Sequence, residues 1–186
     1  MKTFTIGKKK IVLKEEWMVG FITTWIVGLL AHAYRFFNFL PIWDSIYNFT
    51  GVGSTYTLGR WFLGYAGLIT SMFDLPWING AFSLFYISIV VILLTEMFEI
   101  KNKGMIVLCA AIFVSFPTVV SSFAYMYTAD AYLLAFLLAT LAVYLTWCVK
   151  KWGTIAGMVC LAFAMGIYQA YATVVIVLVL LYIIRQ

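Results

Sequence analysis

Apolar residues along the chain are grouped into long runs, with polar and basic residues confined to the segments between them. Four runs, at positions 17–34, 77–97, 104–122 and 130–149, have about the length that an α-helix needs to cross the hydrocarbon core of a bilayer. Pro117 lies inside the third run, where it removes a backbone donor and predicts a kink or a break. The pattern therefore predicts four membrane-spanning helices, one of them interrupted.

The last apolar run, 152–184, is longer than one ordinary span at about 1.5 Å of rise per residue. The stretch "IYQAY" interrupts it near its middle. Two short helices that meet near Gln169 on the outer side would return Arg185 to the side on which the run begins. A single strongly tilted helix is the alternative. With this run, the sequence predicts an all-α fold with five or six transmembrane helices.

The segment between the first two spans, residues 35–76, is far longer than an ordinary connection. Part of it has helical periodicity, which predicts an amphipathic helix lying along the membrane surface with its aromatic side in the headgroup region. A second face of this helix is small and polar. The apolar stripe consists of Leu58, Trp61, Phe62, Tyr65, Leu68 and Met72, and the polar face of Arg60, Gly64, Gly67 and Ser71.

Composition identifies the solvent of these helices. Hydrophobic residues make up 65% of the 186, charged residues 10%, and the mean hydropathy is +1.03. A soluble domain carries about 25% charged residues and cannot hide this much apolar surface in so short a chain. The protein is therefore expected to be a polytopic integral membrane protein, with the lipid bilayer as its first partner.

Basic residues predict the orientation in the membrane. The net charge of +5 comes from lysines in short tails and loops, so it indicates topology and not binding to nucleic acid. Residues 1–16 form a basic tail, and further lysines follow the second and fourth spans. The positive-inside rule then predicts a cytoplasmic N-terminus in the plasma (inner) membrane, with residues 35–76 outside. The remaining residues, 17–186, form one transmembrane domain.

Three charged residues on the predicted outer side are candidates for chemistry. Arg60 carries a planar, permanently charged guanidinium that can bind a phosphate through two parallel hydrogen bonds, although snorkelling to the interface is its ordinary role. Asp44 lies in the loop, where a solvated carboxylate is common. Asp130 is expected to begin a helix after Thr128, where the helix dipole already favours an acid. Acids and the single histidine do not cluster, so neither a metal nor another cofactor is predicted.

The glycines of the outer segment have two interpretations. The first is that Gly64 and Gly67 serve close helix packing, which membrane proteins use widely and which glycine spacing alone favours. The alternative is a groove that admits a lipid headgroup, with Arg60 at its entrance.

Four motifs in order along the chain resemble the Gtr-type (glucosyltransferase II) bacterial membrane glucosyltransferases, which belong to the GT-C class. An acid in the first outer loop is followed by "GRW", by "PWINGAFS" at the start of a span, and by the pair "SFAYMYTADAYLLAFLLATLAVYL" and "MGIYQAY". The resemblance covers about residues 17–184. It implies that the chain is the N-terminal part of a longer glycosyltransferase with a GT-C-like fold.

The resemblance also implies a reaction and the residues that carry it. A glucosyl group would move from polyprenyl-phosphate glucose to a surface polysaccharide or its lipid-linked precursor, at the outer face of the membrane. Asp44 corresponds to the acid of the first loop, Arg60 to the "GRW" arginine, Asp130 to the acid of the second outer loop and Gln169 to the "YQ" element. Relatives commonly carry two adjacent acids where this chain has Asp44 followed by Ser45.

Asp44 is the preferred general base and Asp130 the alternative, Arg60 is the candidate for the donor phosphate, and Gly64, Gly67 and Gln169 are candidates for a substrate groove. Two other functions stay open. One is a non-catalytic membrane protein, such as a transporter or flippase subunit for polyprenyl-linked sugars. The other is an inactive fragment of a transferase.

Overall fold

The computed structural model describes residues 2–6, 9–47, 57–70, 73–149 and 151–185, and in this part the chain is predominantly helical. A short antiparallel hairpin of β1 (Lys2–Ile6) and β2 (Lys9–Leu13) lies in the predicted basic tail. The helices are α1 (Glu15–Phe37), α2 (Trp43–Tyr47), α3 (Leu63–Ala66), α4 (Pro76–Met97), α5 (Lys103–Ser115), α6 (Pro117–Ala124), α7 (Met126–Cys148), α8 (Gly153–Ile167) and α9 (Ala172–Arg185).

Four helical segments are long and apolar enough to cross a membrane: α1, α4, α5 with α6, and α7. They coincide with the four predicted spans. The third is broken at Phe116, as the position of Pro117 predicts. The pyrrolidine ring of Pro117 fits the first turn of α6 but not the interior of a continuous helix. The helix α8 and the segment Gln169–Arg185 are shorter apolar helices.

One end of the bundle, here the basal end, is held by ion pairs between helix termini. Lys14 Nζ lies 2.6 Å from Glu96 Oε2, which joins the start of α1 to the end of α4. Lys103 Nζ lies 2.6 Å from Glu15 Oε2 and joins the start of α5 to the start of α1. These contacts place the start of α1, the end of α4 and the start of α5 together.

The opposite, apical end contains the outer segment, the turn between α6 and α7 and the turn between α8 and α9. Arg35, near the end of α1, donates from Nε to the Phe123 carbonyl at 2.8 Å and from Nη2 to the Ala124 carbonyl at 3.1 Å. A third donation, from Nη1, reaches the Leu40 carbonyl. Arg35 therefore fixes the first outer residues to the end of α6. All three nitrogens of its guanidinium donate to backbone carbonyls within the protein.

The last apolar run folds as two helices, and the single tilted helix is excluded. The helix α8 begins at the basal end, where Gly153 approaches the Leu145 carbonyl of α7 so closely that a Cβ would lie 2.1 Å from the oxygen. The chain reverses through the 3₁₀ turn Gln169–Tyr171. At its far end α9 is tied back to the basal end, because Arg185 Nη1 donates to the Met97 carbonyl at 2.9 Å.

The helix α7 occupies the centre of the bundle and packs against α4, α8 and α9. Small residues permit the closest approach: a Cβ on Gly157 of α8 would lie 2.6 Å from the Ala142 carbonyl of α7. Large apolar side chains cover the outside, and Leu30 and Ile184 are about four-fifths exposed. Such an apolar exterior is what lipid contact requires.

The predicted amphipathic helix of the outer segment is much shorter than its periodicity suggests. Helical structure covers α3 and the following 3₁₀ turn, Gly67–Ile69, while Leu58, Arg60 and Trp61 lie in turns before it. Four residues of the predicted stripe, Leu58, Trp61, Tyr65 and Leu68, are exposed, whereas Phe62 is half-buried against the core. Ser71 and Met72 lie outside the described residues.

Candidate functional site

Arg60 is held in place by a turn that Gln169 closes. Gly59 has φ +74°, a left-handed conformation that glycine adopts without the steric penalty of other residues. Gln169 Nε2 donates to the Leu58 carbonyl at 2.9 Å, and a Cβ on Gly59 would lie only 2.6 Å from that nitrogen. The "GRW" turn therefore needs both the glycine and the glutamine of the "YQ" element.

The residues after Arg60 are docked on the apical end of α8. The Phe62 amide donates to the Gly166 carbonyl at 2.8 Å. A Cβ on Gly166 would lie 2.5 to 2.8 Å from three atoms of the Trp61 indole, so any larger residue at 166 would displace that ring. Two of the motifs that resemble the glucosyltransferases, "GRW" and "MGIYQAY", are thus parts of one structural unit.

The Arg60 guanidinium lies in a cradle of two tyrosines. Its Cζ is 4.5 Å from the centroid of the Tyr168 ring, within the range of a cation–π interaction. Its Nη1 donates to the Tyr132 hydroxyl at 3.3 Å. Its Nε is buried and has no acceptor among the residues that the structure describes. A buried charged donor without a partner is costly and rare in native proteins.

Asp130 forms a separate, buried network. Its Oδ2 accepts a hydrogen bond from Thr70 Oγ1 at 3.0 Å and its Oδ1 accepts one from Asn79 Nδ2 at 3.1 Å. Asn79 in turn accepts from the Leu75 amide at 2.9 Å. Asp130 is 2% exposed. One carboxylate oxygen of Asp130 therefore joins α7 to the outer segment, and the other joins α7 to the start of α4.

The expectation that Asp130 begins a helix is wrong, because α7 begins four residues earlier, at Met126. Asp130 and Tyr132 lie two residues apart on α7, and two residues correspond to a rotation of about 200° around a helix. Asp130 accordingly contacts the 3₁₀ turn and α4, whereas Tyr132 contacts Arg60. The helix α7 thus contributes to both polar groups from different faces.

Asp44 lies on the short helix α2 and its side chain is exposed. Within the described part of the chain, its carboxylate has neither a hydrogen-bond donor nor an ion-pair partner. The neighbouring Ser45 is buried and maintains the local turn. Its Oγ donates to the Ile42 carbonyl at 2.9 Å and accepts from the Ile42 amide at 3.1 Å.

The structure brings some of the sequence candidates together and separates others. Arg60 and Gln169 belong to one unit, while Asp130 lies in its own network and Asp44 contacts neither. Gly67 is buried at the start of the 3₁₀ turn. A Cβ on Gly64 would meet nothing within 4 Å, so no close packing requires this glycine.

Four residues of the two polar groups are missed by the sequence arguments: Thr70, Asn79, Tyr132 and Tyr168. Three of them lie inside the quoted motifs, Asn79 in "PWINGAFS", Tyr132 beside Asp130 and Tyr168 beside Gln169. Their polar character at the apical ends of apolar runs is the sequence signal that distinguishes them. Thr70 carries no such signal, because its partner lies 60 positions away.

Fold and site together define a helical protein whose longest helices can cross a membrane and whose apical end holds a cationic cradle. A family model described as Glucosyl transferase GtrII matches residues 33–186. The chain therefore belongs to the GtrII glucosyl transferase family, and the resemblance seen in its motifs is confirmed. Searches of curated proteins and of solved structures found no match. Family membership supports glucosyltransferase activity.

Proposed function

We propose that the protein transfers a glucosyl group from polyprenyl-phosphate glucose to a hydroxyl of a surface polysaccharide or its lipid-linked precursor, as a GT-C-type enzyme. The observation that carries this proposal is the Arg60 cradle, in which the buried Nε lacks an acceptor. A lipid phosphate would supply that acceptor. The cradle lies at the apical end of helices that can cross a membrane, where a lipid-borne phosphate is found.

The reaction requires one charge to be stabilised and one proton to be removed. The bond between the sugar C1 and the phosphate oxygen breaks, the acceptor oxygen bonds to C1, and polyprenyl phosphate leaves with the electron pair. Negative charge grows on the phosphate in the transition state, and a fixed guanidinium lowers its energy. The stacked Tyr168 and the Tyr132 hydroxyl fix the orientation of Arg60 without neutralising it.

The acceptor hydroxyl is a poor nucleophile, so a carboxylate must take its proton as the new bond forms. Asp44 is the proposed base, because its carboxylate is exposed on the apical side and free to meet a polymer. Asp130 is proposed as a positioning residue, because both its oxygens already accept hydrogen bonds and it is closed off from the outside. In this scheme Gln169 positions the Arg60 turn, and Gly64 leaves open space beside it.

The apical end is proposed to lie outside the cell. Lys14, Lys101, Lys103 and Lys151 belong to the basal end or its loops, and positive-inside sorting places such residues in the cytoplasm. In sealed right-side-out vesicles, an impermeant thiol reagent should label a cysteine at position 46 and spare one at position 101. The reverse pattern would overturn the orientation. The background variant replaces the native Cys109, Cys148 and Cys160 by alanine.

The transfer itself is tested with membranes that contain the protein and radiolabelled polyprenyl-phosphate glucose. We expect label to enter a polysaccharide or lipid-linked glycan, with release of polyprenyl phosphate. A nucleotide-linked glucose in place of the lipid-linked donor should give no label when donor synthesis is blocked. If the labelled lipid changes leaflet without any transfer, the protein is a transporter of such lipids and the proposed reaction is wrong.

A further inference from the structure

A deep apolar groove lies between the broken helix pair α5–α6 and α9, with α7 as its floor. Its volume is about 460 Å³, within the range of pockets that bind small ligands. Phe116 and Thr118, on either side of Pro117, line one wall, and Val177 and Leu181 of α9 line the other. The helix break predicted from Pro117 therefore forms part of the groove wall.

The hydroxyl groups in the groove do not make it a sugar site. Ser122 Oγ donates to the Thr118 carbonyl at 2.9 Å, Thr140 Oγ1 to the Phe136 carbonyl at 3.0 Å and Thr173 Oγ1 to the Ala170 carbonyl at 2.6 Å. These three hydroxyl protons are used within their own segments. The lining has two further hydroxyl groups, on Thr118 and Tyr171, and most of its remaining surface is carbon. A sugar would leave its hydroxyls unpaired here, whereas a hydrocarbon chain would not.

Contacts between aromatic rings connect the groove to the Arg60 cradle. Tyr171 lines the groove, and its ring centroid lies 6.2 Å from that of Tyr168, which is the ring stacked on Arg60. On the other side, the Tyr171 ring lies 6.1 Å from Phe136, which stacks on Phe113 at 5.8 Å. Tyr171 thus packs between the wall of the groove and the ring that contacts Arg60.

We propose that this groove binds the isoprenoid chain of the lipid-linked donor while Arg60 holds its phosphate. The inference rests on the proposed function and deepens it by assigning the lipid a place. An anionic headgroup with a long apolar tail matches a permanent cation that lies two ring contacts away from an apolar groove. The Tyr171 ring, between the two, lies where the phosphate end of such a chain would pass into the membrane.

The test uses the protein in detergent micelles with a polyprenyl phosphate that carries a diazirine on its chain and no sugar. Crosslinks should map to residues 112–122 and 173–181. Val177→Trp should reduce them by about 10-fold, the scale of a steric mismatch in a hydrophobic pocket. Ile176→Trp is the matched control. Ile176 directly precedes Val177 in α9 and is similarly exposed, but it does not line the groove.

Competition distinguishes the proposed ligand from bulk lipid. Unlabelled polyprenyl phosphate should displace the probe, and a diacyl phosphatidic acid at equal concentration should not. Crosslinks that spread over all outer helices, or that Val177→Trp does not reduce, would overturn the proposal. The absence of any crosslink would also overturn it, because the groove would then be filled by another segment or by a second copy of the chain. Because the probe has no sugar, labelling without any transfer would contradict the proposed reaction alone.

Discussion

Replacing Arg60 with alanine should lower the rate of glucosyl transfer by about 100- to 1,000-fold, the range found when a donor that stabilises transition-state charge is removed. The reason is geometric as well as electrostatic. The guanidinium is held between Tyr132 and Tyr168, and its buried Nε has no acceptor among the described residues. The measurement is the initial rate with radiolabelled polyprenyl-phosphate glucose in membranes.

Two further variants separate charge from geometry. Arg60→Lys retains the charge but loses the fork that binds phosphate through two hydrogen bonds and the plane that stacks on Tyr168, so it should remain well below the wild-type rate. Lys101→Ala removes an exposed cation from the opposite end and should leave the rate unchanged. Normal transfer by Arg60→Ala, with the protein present at wild-type level, would rule out a phosphate-binding role.

The spans could be predicted from sequence because a bilayer imposes a simple constraint. Every backbone group must be satisfied inside the helix, so length and apolar character alone define a candidate. The break at Pro117 and the reversal near Gln169 followed from equally local chemistry, a missing N–H and a polar interruption. For this reason, the bounds of α4 and the split of the last run agree with their predictions to within a few residues.

The polar sites were less predictable because they depend on contacts between distant segments. Periodicity suggested that Arg60 belongs to a helix, but Gln169, 111 positions from Leu58, holds that stretch in a turn. Nothing near Asp130 in sequence indicates that Thr70 and Asn79 will use both of its oxygens. Local rules identified Arg60 and Asp130 as unusual, and only the packing of α7 against its neighbours assigns them to different faces.

Because the two polar groups are separate, a loss of activity on substitution of Asp130 has a structural explanation. Asp130 connects the 3₁₀ turn of the outer segment, through Thr70, and the start of α4, through Asn79, to the central helix. Loss of this carboxylate would disturb the segment that carries Arg60, whether or not Asp130 ever meets a substrate. An inactive Asp130 variant alone is therefore not a demonstration of catalysis.

Asp44→Asn should reduce transfer by about 100-fold or more while leaving the thermal stability of the purified protein unchanged. The substitution preserves the size of an exposed side chain and removes its ability to accept a proton. Donor binding, measured with the sugar-free polyprenyl phosphate probe, should persist, because Arg60 and the groove are untouched. Glu16→Gln, a matched loss of an acid near the basal end, should have no effect on transfer.

Asp130→Asn completes the comparison, because its expected loss of activity has a different origin. An amide at 130 would place an NH₂ group where one of two donors now finds an oxygen, and a buried donor left unpaired costs about 1–3 kcal/mol. We therefore expect lower thermal stability together with lower transfer. If Asp130→Asn were inactive yet as stable as the wild type, and Asp44→Asn transferred glucose at a near-normal rate, the general base would be Asp130 and Asp44 a residue of the loop.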